Sequence, residues 1–209
     1  MKIAILTSKN NWFEPYAQTL SKFLDSAQVY TNHEDCMVKY DVVFILSYHQ
    51  LVDSKFLSRN LHNIVIHESL LSEGKGWAPL FWQVLENKKI IPFTMFEASN
   101  GIDDGDIYLV DKLELTGFEL NKELRKKQAE KIINMCVNFV NSYDTYKNPK
   151  KQSGSETFYA KRNQIDSMLD IDKSIKEQFN LLRIVNNDEY PAFFEINGNK
   201  YLLKIEEFK

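Results

Sequence analysis

An α/β fold built on a mostly parallel sheet is the class this sequence predicts, and three observations predict it. Residues 41–47 (DVVFILS) form a continuous apolar run and residues 63–67 (NIVIH) a second, β-branched one. Strands buried on both faces read this way. Strand, helix and strand patterns then succeed one another within about 70 residues, as right-handed crossovers between parallel strands require. Finally, the 209 residues are 44% hydrophobic, 13% aromatic and 26% charged, enough for one well-buried domain and a small appendage.

The elements follow in order. Residues 2–7 read as a buried first strand ending in the polar loop 8–12. A helix over residues 13–24 places Tyr16, Leu20, Phe23 and Leu24 on one face. Residues 28–31 are a short strand, 41–47 the next, and 54–60 a short helix capped by Asp53 or Ser54. The strand 63–67 follows. Residues 77–87 fit a helix with Pro79 in its first turn, where a missing donor costs nothing. Strands over 92–98 and 107–115 are joined by the loop 99–106. Residues 120–143 carry Ala129, Ile132, Ile133, Cys136, Phe139, Val140 and Tyr143 at helical spacing. The polar stretch 144–156, with Asn148-Pro149 and Ser153-Gly154-Ser155, is the best linker candidate. The chain therefore divides into a domain over 1–143, a linker over 144–156 and a small C-terminal α+β unit over 157–209. In that unit residues 172–185 read as a helix with Ile175, Phe179 and Leu182 on one face. Strands at 193–196 and 200–205 flank Asn197-Gly198, a strong hairpin signal. The hairpin offers an edge that could pair across a homodimer.

Several classes are disfavoured. A net charge of -3 gives no nucleic-acid footprint, and the basic runs at 122–131 and 147–151 read as a solvated helix face and a linker. The two cysteines, Cys36 and Cys136, make neither a disulfide framework nor a metal-ligand spacing, so no metal is expected. No run reaches the roughly 18 apolar residues of a membrane span, and the N-terminal run is too short for a signal peptide. A cytoplasmic protein with no membrane contact is the expectation.

In an open α/β sheet, ligands bind outside the carboxyl ends of the strands. Polar groups fall there at Lys9 to Trp12, at Ser47 to Gln50, at His67 with Glu68 and Ser69, and in the loop 101–106. His67, ending a β-branched strand before a glycine-bearing loop, suits a proton carrier or oxyanion donor. The plainer reading is a histidine satisfied by backbone. Asp103, Asp104 and Asp106 crowd three carboxylates into four positions, which favours one as a proton acceptor; a simple acidic turn is the alternative. The spacing and terminal Glu of a calcium loop are missing, and Gly74 and Gly76 make no dinucleotide fingerprint.

These residues also carry a resemblance. His67-Glu68-Ser69-Leu70-Leu71, then Gly76-Trp77-Ala78-Pro79 and Trp82-Gln83, is similar to the N-x-H-x-S-L-L-P…G-x-x-P-x-x-W signature of folate-dependent formyltransferases. Pro92-Phe93-Thr94-Met95-Phe96 through Gly101-Ile102-Asp103-Asp104-Gly105-Asp106-Ile107 resembles that family's V-T-x-x…G-L-D-x-G-D-I block. Lys161-Arg162, Asp166-Ser167, Asp170, Asn180-Leu181-Leu182-Arg183 and Tyr190-Pro191-Ala192-Phe193 look like the C-terminal part of sugar N-formyltransferases. The overlap runs from Asp41 to Lys204.

The resemblance implies a Rossmann-like formyltransferase fold and 10-formyltetrahydrofolate as the donor. The implied acceptor is the amine of a nucleotide-linked amino sugar, used in building a surface glycan such as lipopolysaccharide or a flagellar glycan. His67 would stabilise the oxyanion and move protons, and Asp103 would orient it and accept the amine's proton. Folate would lie between Leu46, Ser47, Tyr48, His49 and Leu51 on one side and Phe96, Glu97, Ala98 and Ile102 on the other. The acceptor would meet Lys9, Asn10, Asn11, Trp12, Lys75, Gly76 and Trp77, with Lys9 or Lys75 placed to meet a phosphate. Methionyl-tRNA and glycinamide ribonucleotide formyltransferases stay open as alternatives. The net charge and small C-terminal unit weigh against the first. A folate-binding homologue without turnover is the reading from another class.

Two positions depart from the signature. Val65 stands where the family has its oxyanion asparagine. Asn63 faces the same side of the strand but lies about 13 Å from His67 at strand rise. Asn100, Ser69 or a backbone amide are the candidate replacements. Ser72 stands where the family has proline.

Overall fold

The two apolar runs become the centre of a six-stranded sheet. In chain order the elements are β1 (Ile3–Leu6), α1 (Glu14–Phe23), β2 (Gln28–Tyr30), β3 (Val42–Ile45), α2 (Ser54–Arg59), β4 (His62–His67), β5 (Lys75–Gly76), α3 (Pro79–Leu85), β6 (Ile90–Glu97), β7 (Ile107–Glu114), α4 (Asn121–Asn141), α5 (Tyr143–Tyr146), β8 (Phe158–Tyr159), α6 (Phe179–Ile184), β9 (Ala192–Ile196) and β10 (Asn199–Leu203). The computed structural model describes residues 1–25 and 27–208. The sheet order is β2-β1-β3-β4-β6-β7. β1 to β4 are mutually parallel, while β6 is antiparallel to both β4 and β7. β6 alone therefore runs against the other five strands, and the sheet is mostly parallel as expected.

Strand alternation sends side chains to two cores. Ile5, Phe44, Ile64 and Ile66 pack with Leu20, Leu80, Ile132 and Phe139 under α1, α3 and α4. Ala4, Leu6, Val43, Ile45 and Phe56 form a smaller cluster on the opposite face, where Tyr48, Val52, Val65 and Ala98 join them. His67, two residues after Val65, belongs to that second face. Among the described residues no helix is long and apolar enough to cross a membrane. Both cysteines are buried and free, Cys136 in the main core as its helical spacing predicts.

Two local expectations are corrected. The buried stripe around α1 is Phe13, Ala17, Leu20 and Leu24, whereas Phe23 is 64% exposed. Helical residues one position apart point about 100° away from each other, so Phe23 and Leu24 cannot both face the core. Residues 172–178 are turns rather than helix, and only Phe179–Ile184 is helical. The Gln178 side chain bonds both backbone groups of Asp170, and Glu177 holds Ser174, so side chains take the place of a helical ladder. The stretch 144–156, expected to be a linker, makes long-range backbone contacts. Ile107 and Lys150 exchange two backbone hydrogen bonds of 2.7 and 2.8 Å, and β8 just beyond pairs in parallel with β5.

The C-terminal residues dock through polar anchors. The buried Arg183 of α6 donates from Nε to the Glu119 carbonyl (3.1 Å) and from a terminal nitrogen to its carboxylate (3.2 Å). Asn121 Nδ2 donates to the Ile184 carbonyl at 2.7 Å. The expected hairpin forms as β9 and β10, with Asn197 (φ 51°) and Gly198 (φ 77°) both left-handed as a tight turn demands.

Candidate active site

His67 ends β4, and the loop that follows curls back over it. Its Nε2 lies 2.8 Å from the Gly74 carbonyl. A carbonyl only accepts, so Nε2 carries the proton. The same nitrogen lies 3.7 Å from Asp103 Oδ2. That carboxylate oxygen accepts the Gly76 backbone N–H at 2.9 Å, which locks the aspartate beside the histidine. Asp103 takes a left-handed backbone (φ 49°) to reach this place. The loop carrying it leaves β6 next to Asn63, since the Ala98 N–H donates to the Asn63 carbonyl. Asp103 thus does not project from a carboxyl end shared with β4, as the sequence map supposed, because β6 is antiparallel. Gly105 makes the return path: a Cβ there would sit 1.5 Å from the Glu97 carbonyl oxygen.

The segment after α5 ties the two loops together. Gln152 Nε2 donates to the carbonyls of Asp103 and Gly105, each at 2.8 Å, and its Oε1 accepts from Ser72 at 3.2 Å. Gly74 N donates to Thr157 Oγ1 at 2.8 Å. Gly76 (φ 98°) leaves no room for a side chain, as its Cβ would meet the Tyr159 carbonyl at 2.5 Å. Lys75, expected to meet a substrate phosphate, is 2% exposed and turned inward. Its ammonium donates to Glu156 at 2.6 Å and Asp104 at 3.1 Å. Burial alone would lower the lysine's pKa, but these two carboxylates outweigh it and raise it. That pairing holds the Lys75 ammonium between two loops of the site.

The residues expected around folate do not share one setting. Leu46 and Phe96 are core side chains that leave only backbone available. Tyr48 and Ala98 pack on the second face with Val65, and the Tyr48 hydroxyl is engaged by His33 Nδ1 at 2.7 Å. Leu51 (91% exposed) and Ile102 (64% exposed) are bare apolar side chains on the two flanking loops. Glu97 instead turns towards Asn63, accepting from its N–H (2.8 Å) and amide (3.2 Å), and from the Tyr108 hydroxyl. Burial raises its pKa, with the bonds from Tyr108 and Asn63 opposing the rise. Glu97 also lines a cavity of about 350 Å³ with Leu57, Asn60, Asn63, Ser99 and Asn100. This space lies between α2 and the segment after β6, one element beyond the loop 46–51 that the sequence reading favoured.

On the acceptor side, Asn11 Nδ2 donates to the Ser47 carbonyl (2.9 Å) and lies 3.2 Å from His49 Nε2. The His49 ring is 6.2 Å from that of Trp77. Burial lowers the His49 pKa, and Lys161 and Arg125 add to the effect, so the ring is neutral near pH 7. Lys9 and Asn10 are exposed on the same loop as Asn11, and no bond ties them to His67 or Asp103. The Arg125 guanidinium lies 4.4 Å from the ring centres of both Trp12 and Phe81. Burial pushes its pKa down to about 10, opposed by Glu68 and Glu189. Lys161 Nζ stands 4.7 Å over Trp77.

Sequence reasoning missed Arg125, Gln152 and Lys161. Arg125 was readable: its spacing from Gln128, Ala129 and Ile132 puts it on the apolar face of α4 rather than in a solvated run. Lys161 stood in the resemblance without a role, and nothing local marked Gln152.

Paired loops on a mostly parallel sheet hold a histidine and an aspartate side by side, and the chain belongs to the formyl transferase family, whose model matches residues 2–140. A methionyl-tRNA formyltransferase of Clostridium perfringens is 28% identical over 152 residues, 70% of this chain and 48% of the relative. The chain spans about half the length of the curated relatives it matches. The solved methionyl-tRNA formyltransferase from Clostridium thermocellum superimposes with a TM-score of 0.83 at 18% identity, over 100% of this chain and 94% of that one. A sugar N-formyltransferase from Shewanella has a TM-score of 0.66 at 15% identity, with both chains covered in full.

Proposed function

We propose that this chain transfers the formyl group of 10-formyltetrahydrofolate to the amine of a nucleotide-linked amino sugar. The observation that carries the reading is the His67–Asp103 pair, with a proton-bearing Nε2 3.7 Å from a carboxylate that the Gly76 amide locks in place. The exposed Leu51 and Ile102 and the cavity beside Asn63 and Glu97 fit a flat, hydrogen-bonding heterocycle. In this reading His67 swings its Nε2–H from the Gly74 carbonyl to the formyl oxygen as the amine attacks. Asp103 accepts the proton that the amine loses as its bond to the formyl carbon forms. When the bond from that carbon to the folate nitrogen breaks, the proton passes to the departing nitrogen. The products are an N-formyl sugar and tetrahydrofolate.

Support for a sugar acceptor comes from the C-terminal motif resemblance, and the fold is shared in full with the Shewanella sugar N-formyltransferase. The Clostridium perfringens relative favours a second reading, in which the amine belongs to methionyl-tRNA. Release of tetrahydrofolate, followed against a panel of nucleotide-linked amino sugars, methionyl-tRNA and glycinamide ribonucleotide, tests both. Acceptor-dependent release with an amino sugar is expected. Release only with methionyl-tRNA would replace the sugar reading, and folate binding without any release would replace the enzymatic one.

A further inference from the structure

Among the described residues Lys75 is the one buried lysine, yet its partners Asp104 and Glu156 stand half in solvent. Surface pairs such as Lys88–Glu86 and Lys112–Glu114 leave both ions to water and hold little in place. Here the dependence is one-sided. Either carboxylate can be hydrated without the lysine, but an ammonium out of water is costly unless anions offset the lost hydration. Lys75 therefore stays inside only when the loop carrying Asp104 and the segment carrying Glu156 arrive together.

The neighbours of these three residues hold the reacting pair. Gly74 and Gly76 flank Lys75: the Gly74 carbonyl accepts from His67 Nε2, and the Gly76 N–H donates to Asp103 Oδ2. Asp104 directly follows Asp103. Glu156 directly precedes Thr157, whose hydroxyl accepts the Gly74 N–H at 2.8 Å and whose carbonyl accepts the Lys75 N–H at 2.9 Å. The Trp77 N–H continues this ladder to the Tyr159 carbonyl at 3.1 Å. We infer that Lys75 is a positioning residue for the reaction: its ammonium latches the turn 74–77 to the Asp103 loop and to the segment 156–159, so that His67 and Asp103 are set in register or released together. The lysine acts through Gly74 and Gly76 rather than on the substrate. The inference rests on formyl transfer by the His67–Asp103 pair, but the latch itself is read without turnover.

The test joins three measurements on the whole chain: amide hydrogen exchange followed residue by residue by NMR, single-turnover release of tetrahydrofolate, and equilibrium binding of tetrahydrofolate. A lysine that only stabilised the fold would lower the melting temperature and leave the folded enzyme unchanged. In Lys75→Met, which keeps the bulk and drops the charge, exchange at Gly74, Gly76 and Trp77 should quicken by about tenfold or more while β1, β3 and α4 stay protected. Turnover should fall about tenfold or more, with the Kd of tetrahydrofolate changed by less than about threefold. Adding Glu156→Gln to Lys75→Met should lower kcat by less than about twofold further, since both act through one contact. Glu156→Gln alone changes a half-exposed side chain and carries the test if Lys75→Met does not fold; it should quicken the same amides and lower kcat by a smaller factor. Unchanged exchange at Gly74 and Gly76 in the folded variants would overturn the latch, and so would wild-type kcat in a folded Lys75→Met protein. If the wild type releases no tetrahydrofolate with any acceptor, the reaction fails, while faster exchange at Gly74 and Gly76 in Lys75→Met still supports the latch.

Discussion

Replacing Asp103 by asparagine removes one charge and little else. The new side chain keeps an oxygen that can accept the Gly76 N–H, now at 2.9 Å from the carboxylate, so the loop should stay in place. What disappears is a negative charge 3.7 Å from the His67 nitrogen whose N–H donates to the developing oxyanion, and the attraction of two full unit charges bounds what it is worth. At 3.7 Å, two unit charges attract by about 1 kcal/mol in bulk water and about 4.5 kcal/mol at an effective dielectric constant of about 20. The Asp103 side chain is largely shielded from solvent, which puts the value between these limits. That range corresponds to roughly 5-fold to 2,000-fold in rate, and about 10²-fold is expected, before any loss of Asp103 as proton acceptor. Single-turnover release of tetrahydrofolate measures it, with the melting temperature and folate affinity as controls for the fold. A kcat within threefold of the wild type would refute the reasoning, since neither the charge nor the proton acceptor would then matter.

Two further outcomes follow from the anchors of the site and of the C-terminal helix. Gln152→Ala frees the carbonyls of Asp103 and Gly105 and should lower kcat about tenfold or more. Folate affinity should change much less, and Gln152→Asn, too short to span both loops, should not rescue turnover. Arg183→Met leaves the buried Glu119 carboxylate with one cation fewer and should destabilise the fold by about 3–5 kcal/mol in denaturant unfolding. The pH dependence has a definite sign. Burial would raise the pKa of Glu119, but the bonds from Lys127 and Thr116 outweigh it and hold the group well below its usual range. Its contribution is therefore full above the unfolded value of about 4.3 and is lost as pH falls further. His62, buried between Tyr108 and Tyr143, is held below its usual range by desolvation. The unfolded chain takes up its proton first, so stability also declines as pH drops below about 6.5. Unfolding midpoints at pH 7, 5.5 and 4 should fall in that order, and Glu119→Gln should flatten the last step.

What the sequence revealed and what it hid differ by the range of the interactions involved. The strands β3 and β4, the Asp53 cap on α2 and the Asn197-Gly198 turn are set by residues within a few positions of one another, and all three are found where expected. The segment that straps the site is the opposite case. Lys150, Gln152 and Glu156 read as polar linker and Thr157 as the start of the C-terminal unit, yet their partners at Ile107, Asp103, Lys75 and Gly74 are all more than forty positions away. Composition cannot distinguish a solvated glutamine from one bonded to two distant carbonyls. Lys75 shows the same limit, because its burial follows only once two carboxylates from separate loops are brought to it. The nearness of His67 and Asp103 was legible through the family pattern and not from strand topology, since the antiparallel β6 carries its loop away before Gly105 lets it return.

Val65 sharpens the question of how the oxyanion is held. Asn63 cannot take the missing role, because its amide donates to the Leu57 carbonyl and to Glu97 while its oxygen accepts from Asn60. Asn100 lines the cavity beside α2. Ser69 is only 3% exposed, and its hydroxyl has no hydrogen-bond partner. It is therefore a buried donor in reserve two residues beyond His67. Val65 itself sits among Tyr48, Val52 and Ala98, on the face that alternation shares with His67. Val65→Asn would bury an amide there at a cost of about 1–3 kcal/mol in stability. In exchange it would place a second donor beside His67. One such donor is worth roughly 10²–10³ in rate where it is lacking, so a rise in kcat of at least tenfold is expected, alongside a lower melting temperature. If turnover stays level in a folded Val65→Asn protein while Ser69→Ala loses about 10², the serine already supplies the bond. The site would then have moved its oxyanion donor from the strand to the loop that follows it.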